Sequence, residues 1–196
     1  MKREEIQKKA LEIGLHYKRA GLAISMGVGK TRIAIQHFQR CYNPFIKALV
    51  VIPKLSVADA WDDELKKMNL LDLKEHLTFT TYLSLNKHNP ADYDVVYLDE
   101  CHTLLDSHKP FLSMFTGRIL GLTGTPPKYK DSEKGRMVST YCPIKLTFTV
   151  DDATDSNILN NYKIIVHELE LSKLKTLKKT SKNGGFWWTS EVSDYD

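Results

Sequence analysis

Apolar residues in this chain fall into two alternating patterns. One is a short unbroken run, as in Ala48-Leu49-Val50-Val51-Ile52 within 47–52 and Val95-Val96-Tyr97-Leu98 within 93–98. Runs without polar alternation belong to parallel strands covered on both faces. Runs at 21–25, 77–80, 118–122, 146–149 and 162–169 predict further strands. The other pattern is helical. Ile6, Ala10, Ile13 and Tyr17 mark one face of a helix over 2–19, and 30–41 predicts a second that Asn43-Pro44 breaks. Val57, Trp61, Leu65 and Met68 mark a third, opened by the capping-box residues 56–59. Residues 107–115, with Pro110 in the first turn, and 151–159 predict two short helices. Strands alternating with helices give an α/β domain of three layers with a mainly parallel central sheet. The polar stretch 128–142 reads as a loop. The five lysines between 173 and 182, with Gly184-Gly185, read as a linker, and Phe186-Trp187-Trp188 is an apolar cluster with no element of its own.

The chemistry sits where predicted strands end. The run at 21–25 leads into Ser25-Met26-Gly27-Val28-Gly29-Lys30-Thr31 and then a helix. Strand, glycine turn, Lys-Thr and helix N-terminus together cradle phosphates. Backbone N–H groups and the helix dipole face the anion, Lys30 neutralises the β- and γ-phosphates, and the Thr31 hydroxyl holds Mg²⁺. The long form of this motif wants glycine at position 24, where the chain has Ile24, so Gly-x-Gly-Lys-Thr is the part that survives. The run at 93–98 delivers Asp99-Glu100-Cys101-His102. An apolar strand ending in two acids suits nucleotide hydrolysis, with Asp99 on the metal and Glu100 orienting and deprotonating water. The run at 118–122 ends in Thr123-Gly124-Thr125-Pro126, at the same sheet edge if the crossovers are right-handed.

Composition narrows the setting. The 196 residues carry a net charge of +4, which permits a polyanionic partner without requiring one. Cys41, Cys101 and Cys142 are odd in number and widely spaced, arguing for a reducing cytosol and against a disulfide framework or zinc site. No apolar run approaches membrane-spanning length, so no membrane partner is expected.

Three motifs in this order resemble the first RecA-like lobe of superfamily 2 helicases and DNA translocases. Gly27–Thr31 are similar to motif I, in a Swi/Snf-like form from Met26. Asp99–His102 resemble the DEAD/DEAH-type motif II, and Thr123–Pro126 resemble motif III. Ile52-Pro53-Lys54 with Trp61 resembles motif Ia, and Thr80-Thr81-Tyr82 motif Ib. The resemblance covers residues 3–170, with the stretch from Val150 to Lys163 similar to restriction-type and phage-encoded members. It implies ATP and Mg²⁺ as cofactors. Gln7, 23 residues before Lys30, would read adenine, and Met26, Val28 and Arg32 would complete the nucleotide side. His102, Thr123, Gly124 and Thr125 would couple nucleotide state to nucleic acid. Lys54, Thr80, Thr81 and Tyr82 would touch the backbone of DNA, in preference to RNA. Cys101 stands where the family most often has alanine, read as a tolerated small residue.

Such enzymes close a second RecA-like lobe over ATP. The expectation is a lobe over 1–170 and a tail over 171–196 toward a missing second lobe, with little hydrolysis by this lobe alone and a cytoplasmic location, the host's if phage-encoded. Kinase and GTPase readings are weaker: Asn86-Lys87-His88-Asn89 lacks the aspartate of a guanine-reading loop. A P-loop module that binds nucleotide or a partner without helicase activity remains the alternative.

Overall fold

A computed structural model of the chain describes residues 2–160, 175–180 and 186–191. The chain divides into two compact units, residues 1–160 and 161–196. In the first unit, helix α1 (Arg3–His16) precedes strand β1 (Arg19–Ile24), and α2 (Lys30–Cys41) and β2 (Ala48–Ile52) follow. Next come α3 (Ala58–Lys67), β3 (Leu77–Thr81), β4 (Val95–Asp99), α4 (Lys109–Met114) and β5 (Arg118–Thr123). The unit ends with α5 (Glu133–Tyr141), β6 (Ile144–Phe148) and α6 (Val150–Asp155).

The six strands form one sheet in the order β3-β2-β4-β5-β1-β6, and every neighbouring pair is parallel. This agrees with the unbroken apolar runs, since β2 and β4 are buried at every position. One face packs Ile33, Phe38, Trp61 and Tyr97 beneath α1, α2 and α3, and the other packs Leu98, Phe111, Met137 and Cys142 beneath α4 and α5. Each such aliphatic or aromatic side chain contributes about 1.5–3 kcal/mol on burial. Parallel register aligns the strand ends that matter: Ala23 lies opposite Thr123, and Asp99 opposite Leu122.

A buried polar chain ties the helical layer to the sheet. The His37 Nδ1 lies 2.8 Å from the Tyr97 hydroxyl and Nε2 lies 3.2 Å from the Gly14 carbonyl. A carbonyl only accepts, so the proton sits on Nε2 and Tyr97 donates to Nδ1. Burial lowers the His37 pKa to about 4, keeping the ring neutral.

The structure departs from the sequence expectations in three places. Helix α1 stops at His16 rather than 19, because Arg118 donates to the carbonyls of Leu15 and Tyr17 and closes the helix end. Residues 133–141 are helical, not loop. The Ser132 hydroxyl accepts from the Gly135 N–H as N-cap, and Met137, Val138 and Tyr141 bury one face. In the second unit, β7 (Lys175–Thr180) pairs antiparallel with β8 (Phe186–Glu191), so part of the expected linker is strand and Phe186–Trp188 lie in β8. The strand expected over 162–169 lies outside the described residues. Among the described residues no helix is long and apolar enough to cross a membrane.

Candidate active site at the C-terminal edge of the sheet

β1 ends in the phosphate loop. Gly27 and Gly29 adopt φ of +82° and +106°, values that exclude a Cβ without strain. A Cβ on Gly27 would stand 2.9 Å from Leu159, and one on Gly29 would stand 2.7 Å from the Gln7 amide nitrogen. That amide is buried and donates to the Val28 carbonyl at 2.7 Å. Val28 is buried under the loop, while Met26 is 73% exposed at its tip. Gly29 caps α2, whose first turn carries Lys30, Thr31 and Arg32.

β4 brings the two acids beside that turn. Lys30 Nζ lies 3.8 Å from Glu100 Oε1, and Glu100 Oε2 lies 3.3 Å from His102 Nδ1. Glu100 has φ +52°, a left-handed turn that swings its side chain from the buried strand toward Lys30. Asp99 remains buried, and its Oδ1 accepts from the Glu100 N–H at 3.1 Å. Burial, with the Glu100 charge next to it, pushes the Asp99 carboxyl above its ordinary pKa. The Trp61 indole N–H lies beside that carboxyl and favours its charge, yet has no partner in hydrogen-bond geometry.

β5 completes the cluster. His102 Nδ1 is 2.8 Å from the Thr123 hydroxyl, which also accepts from the Thr125 N–H at 3.0 Å. Thr125 Oγ1 is 3.4 Å from the same His102 nitrogen. Gly124 lies beside Lys30: a Cβ there would meet Nζ at 3.5 Å, an ordinary contact. Lys30, Glu100, His102, Thr123 and Thr125 therefore form one continuous polar chain.

The donor set fits magnesium. Thr31 offers a hydroxyl and Asp99 a carboxylate, hard oxygens few enough to leave positions for phosphate and water. Among the described residues no group of three or more His, Cys, Asp and Glu assembles into a metal cage. Beside the loop opens a cavity of about 670 Å³, lined by Gln7, Leu11, Gly29, Arg32, Gln36 and Glu64. Arg32 donates to Glu64 at 3.0 Å, fixing one wall. Glu64, Gln36 and the Trp61 N–H are site features that local sequence did not mark. The three-residue spacing of Trp61 and Glu64 on α3 is the one signal that could have linked those two.

The residues expected to meet nucleic acid divide. Lys54 is exposed and Thr81 half-buried. Thr80 and Tyr82 are buried, and the Tyr82 hydroxyl donates to the Asp99 carbonyl at 2.8 Å. Through this bond Tyr82 braces the acidic strand end from within.

Residues 1–128 match the family model described as type III restriction enzyme, res subunit. The African swine fever virus protein QP509L (isolate Pig/Kenya/KEN-50/1950), whose name is that of an ATP-dependent RNA helicase, is 30% identical over 145 residues. That alignment covers 63% of this chain and 27% of the relative, so the chain spans about a quarter of the length of the curated relatives it matches. Among solved structures, the UvsW helicase of bacteriophage T4 superposes with a TM-score of 0.58 at 16% identity, covering 71% of this chain and 58% of that one. The SWI2/SNF2 ATPase core of Sulfolobus solfataricus, solved with dsDNA, gives 0.55 at 21% identity, covering 72% and 35%. The fold is thus the RecA-like α/β fold that these two structures share. Since the family match runs through the phosphate loop, the acidic strand end and the Thr-Gly-Thr tip, the chain belongs to the type III restriction enzyme res subunit family.

Proposed function

We propose that this chain is the ATP-binding lobe of a nucleic-acid-dependent ATPase that couples hydrolysis to movement along DNA. The observation that carries the reading is the polar chain from Lys30 through Glu100 and His102 to Thr123 and Thr125. Lys30 neutralises the β- and γ-phosphates, and the loop N–H groups at the start of α2 hold their oxygens. Thr31 and Asp99 hold Mg²⁺, which when bound screens the charge that builds on the transferring phosphoryl group. Glu100 orients the attacking water and takes its proton. Gln7 lines the base cavity, and with one amide N–H engaged by the Val28 carbonyl its amide oxygen accepts from the adenine amine. His102, Thr123 and Thr125 relay the state of the phosphate to the nucleic-acid face, where Lys54 and Thr81 contact the backbone without reading sequence.

The QP509L relative is named for RNA and the SWI2/SNF2 core was solved with dsDNA. The likeness of the motifs to Swi/Snf and restriction-type enzymes favours DNA. A second RecA-like lobe would supply an arginine worth about 10³–10⁵ in rate, so this lobe alone hydrolyses ATP slowly or not at all. Binding is tested by thermal unfolding: ATP with Mg²⁺ raises the melting temperature by mass action, and Lys30→Ala removes the rise. An equal rise in the variant overturns the phosphate-loop assignment.

A further inference from the structure

The loop that follows the Thr-Gly-Thr tip is built to present an aromatic ring and two cations to solvent. Its backbone is fixed. Ser132 donates to the Tyr129 carbonyl through its hydroxyl at 2.7 Å and through its N–H at 3.3 Å. Arg136 donates to the Asp131 carbonyl at 2.6 Å. The first turn of α5 lies so close that a Cβ on Gly135 would stand 2.1 Å from the Tyr129 carbonyl oxygen. With its main chain held this way, Tyr129 is nevertheless 67% exposed. Lys128 Nζ lies 5.5 Å from the centre of its ring. A rigid loop that keeps a tyrosine in water forgoes the burial that a small rotation of a freer loop would give.

The charges here are as unbalanced as the ring is exposed. Residues 128–136 contain Lys128, Lys130, Lys134 and Arg136 against Asp131 and Glu133. Arg136 meets Asp106, and Glu133 accepts from the Asp106 N–H. Among the described residues Lys128 and Lys130 form no ion pair, although Asp131 follows directly in sequence. Behind Lys130 runs an open groove of about 400 Å³ lined by Pro126, Pro127, Val138, Pro143 and Ile144. α5 packs on the turns at 101–103 and 106–108, and the latter packs on the turn at 82–87. The loop therefore shares the side of the sheet edge that the Tyr82–Lys87 turn occupies.

We propose that Lys128, Tyr129 and Lys130 form a further contact for single-stranded nucleic acid, in which Tyr129 stacks on a base and the two lysines flank it on the phosphates. Free cations beside an exposed aromatic are the elements of sequence-tolerant strand binding, and each base has a face for the ring. A neutral protein partner would leave both lysines without counter-charge. The inference rests on the nucleic-acid reading above and adds a site to it.

The test uses the full chain and a fluorescein-labelled oligothymidine, with anisotropy as readout. All three side chains are exposed, so the substitutions leave the fold intact. Tyr129→Ala is expected to weaken binding about 5- to 150-fold, and Tyr129→Phe to restore it. Lys128→Ala with Lys130→Ala is expected to flatten the slope of log affinity on log salt by about 1.4. ATP-induced thermal stabilisation stays unchanged in every variant. If the native chain and Lys54→Ala differ while the loop variants match the native chain, the loop is not a contact and the broader reading stands. If the native chain binds no oligonucleotide, both fall. An equal loss on a blunt duplex, whose bases are already stacked, overturns the stacking assignment.

Discussion

Gln7 holds Val28. The amide of a helix that precedes the phosphate loop donates to the loop's own backbone at 2.7 Å in a buried setting, so base-side and phosphate-side elements are one unit before any nucleotide arrives. Removing the donor leaves a buried carbonyl without a partner, which costs about 1–3 kcal/mol. We predict that Gln7→Ala lowers the melting temperature by about 2–4 °C per kcal/mol lost and also weakens ATP binding. Gln7→Glu, which sets a carboxylate against a carbonyl, is expected to be worse at neutral pH. Equal stability of the native chain and both variants would remove the clasp.

Gly29 has a second reason to be glycine. Its φ of +106° disfavours any Cβ, and the added methyl would meet the Gln7 nitrogen. Gly29→Ala is expected to cost about 1–2 kcal/mol from backbone strain alone, before the contact is counted. Urea denaturation measures it. A neutral substitution would show that the loop adopts another conformation in solution.

Glu100 lies between two cationic or polar partners, Lys30 at 3.8 Å and His102 at 3.3 Å. In the nucleotide-free protein its carboxylate occupies the lysine that the phosphates need. Glu100→Gln removes this competing charge, so ATP affinity measured by calorimetry is expected to hold or rise by up to about tenfold. Any hydrolysis the chain supports is lost with the base. A tenfold fall in affinity would contradict the competition.

The buried His37 makes stability depend on pH. Its folded pKa, about 4, lies below the unfolded value of 6.5, so between these values the unfolded chain binds the extra proton and stability rises with pH. Acidification from 6.5 to 4 should therefore remove about 3 kcal/mol attributable to this ring. His37→Phe lowers the baseline, since Tyr97 and the Gly14 carbonyl lose a partner, but it should flatten this part of the profile. Identical slopes for the native chain and the variant would assign the acid lability elsewhere.

How much of this was legible in the chain depends on how local its cause is. β2 and β4 were plain because both faces of each strand are buried and the residues say so one after another. The phosphate loop was plain because glycine, lysine and threonine must be adjacent to work. Helix α5 was not, since Glu133, Lys134, Gly135 and Arg136 open it with polar residues and a poor helix former, and only Met137, Val138 and Tyr141 meet the core. β7 and β8 were hidden by lysines and glycines that read as linker, whereas strand pairing is decided by a partner further along the chain. Tyr82 stood out only through the likeness of Thr80-Thr81-Tyr82 to motif Ib, and the bond of its hydroxyl to the Asp99 carbonyl, seventeen residues on, had no local signal. The Gly14–His37–Tyr97 chain had no sequence signal, joining three elements that only the fold brings together.

Leu159 touches the place where a Gly27 Cβ would stand, one residue before the first unit of the chain ends. The glycine that admits a phosphate also makes room for the segment on its way out of the lobe. Thermodynamic linkage makes that contact reciprocal: whatever free energy the seating of Leu159 lends to or takes from nucleotide binding, nucleotide binding returns to the seating of Leu159 in equal measure.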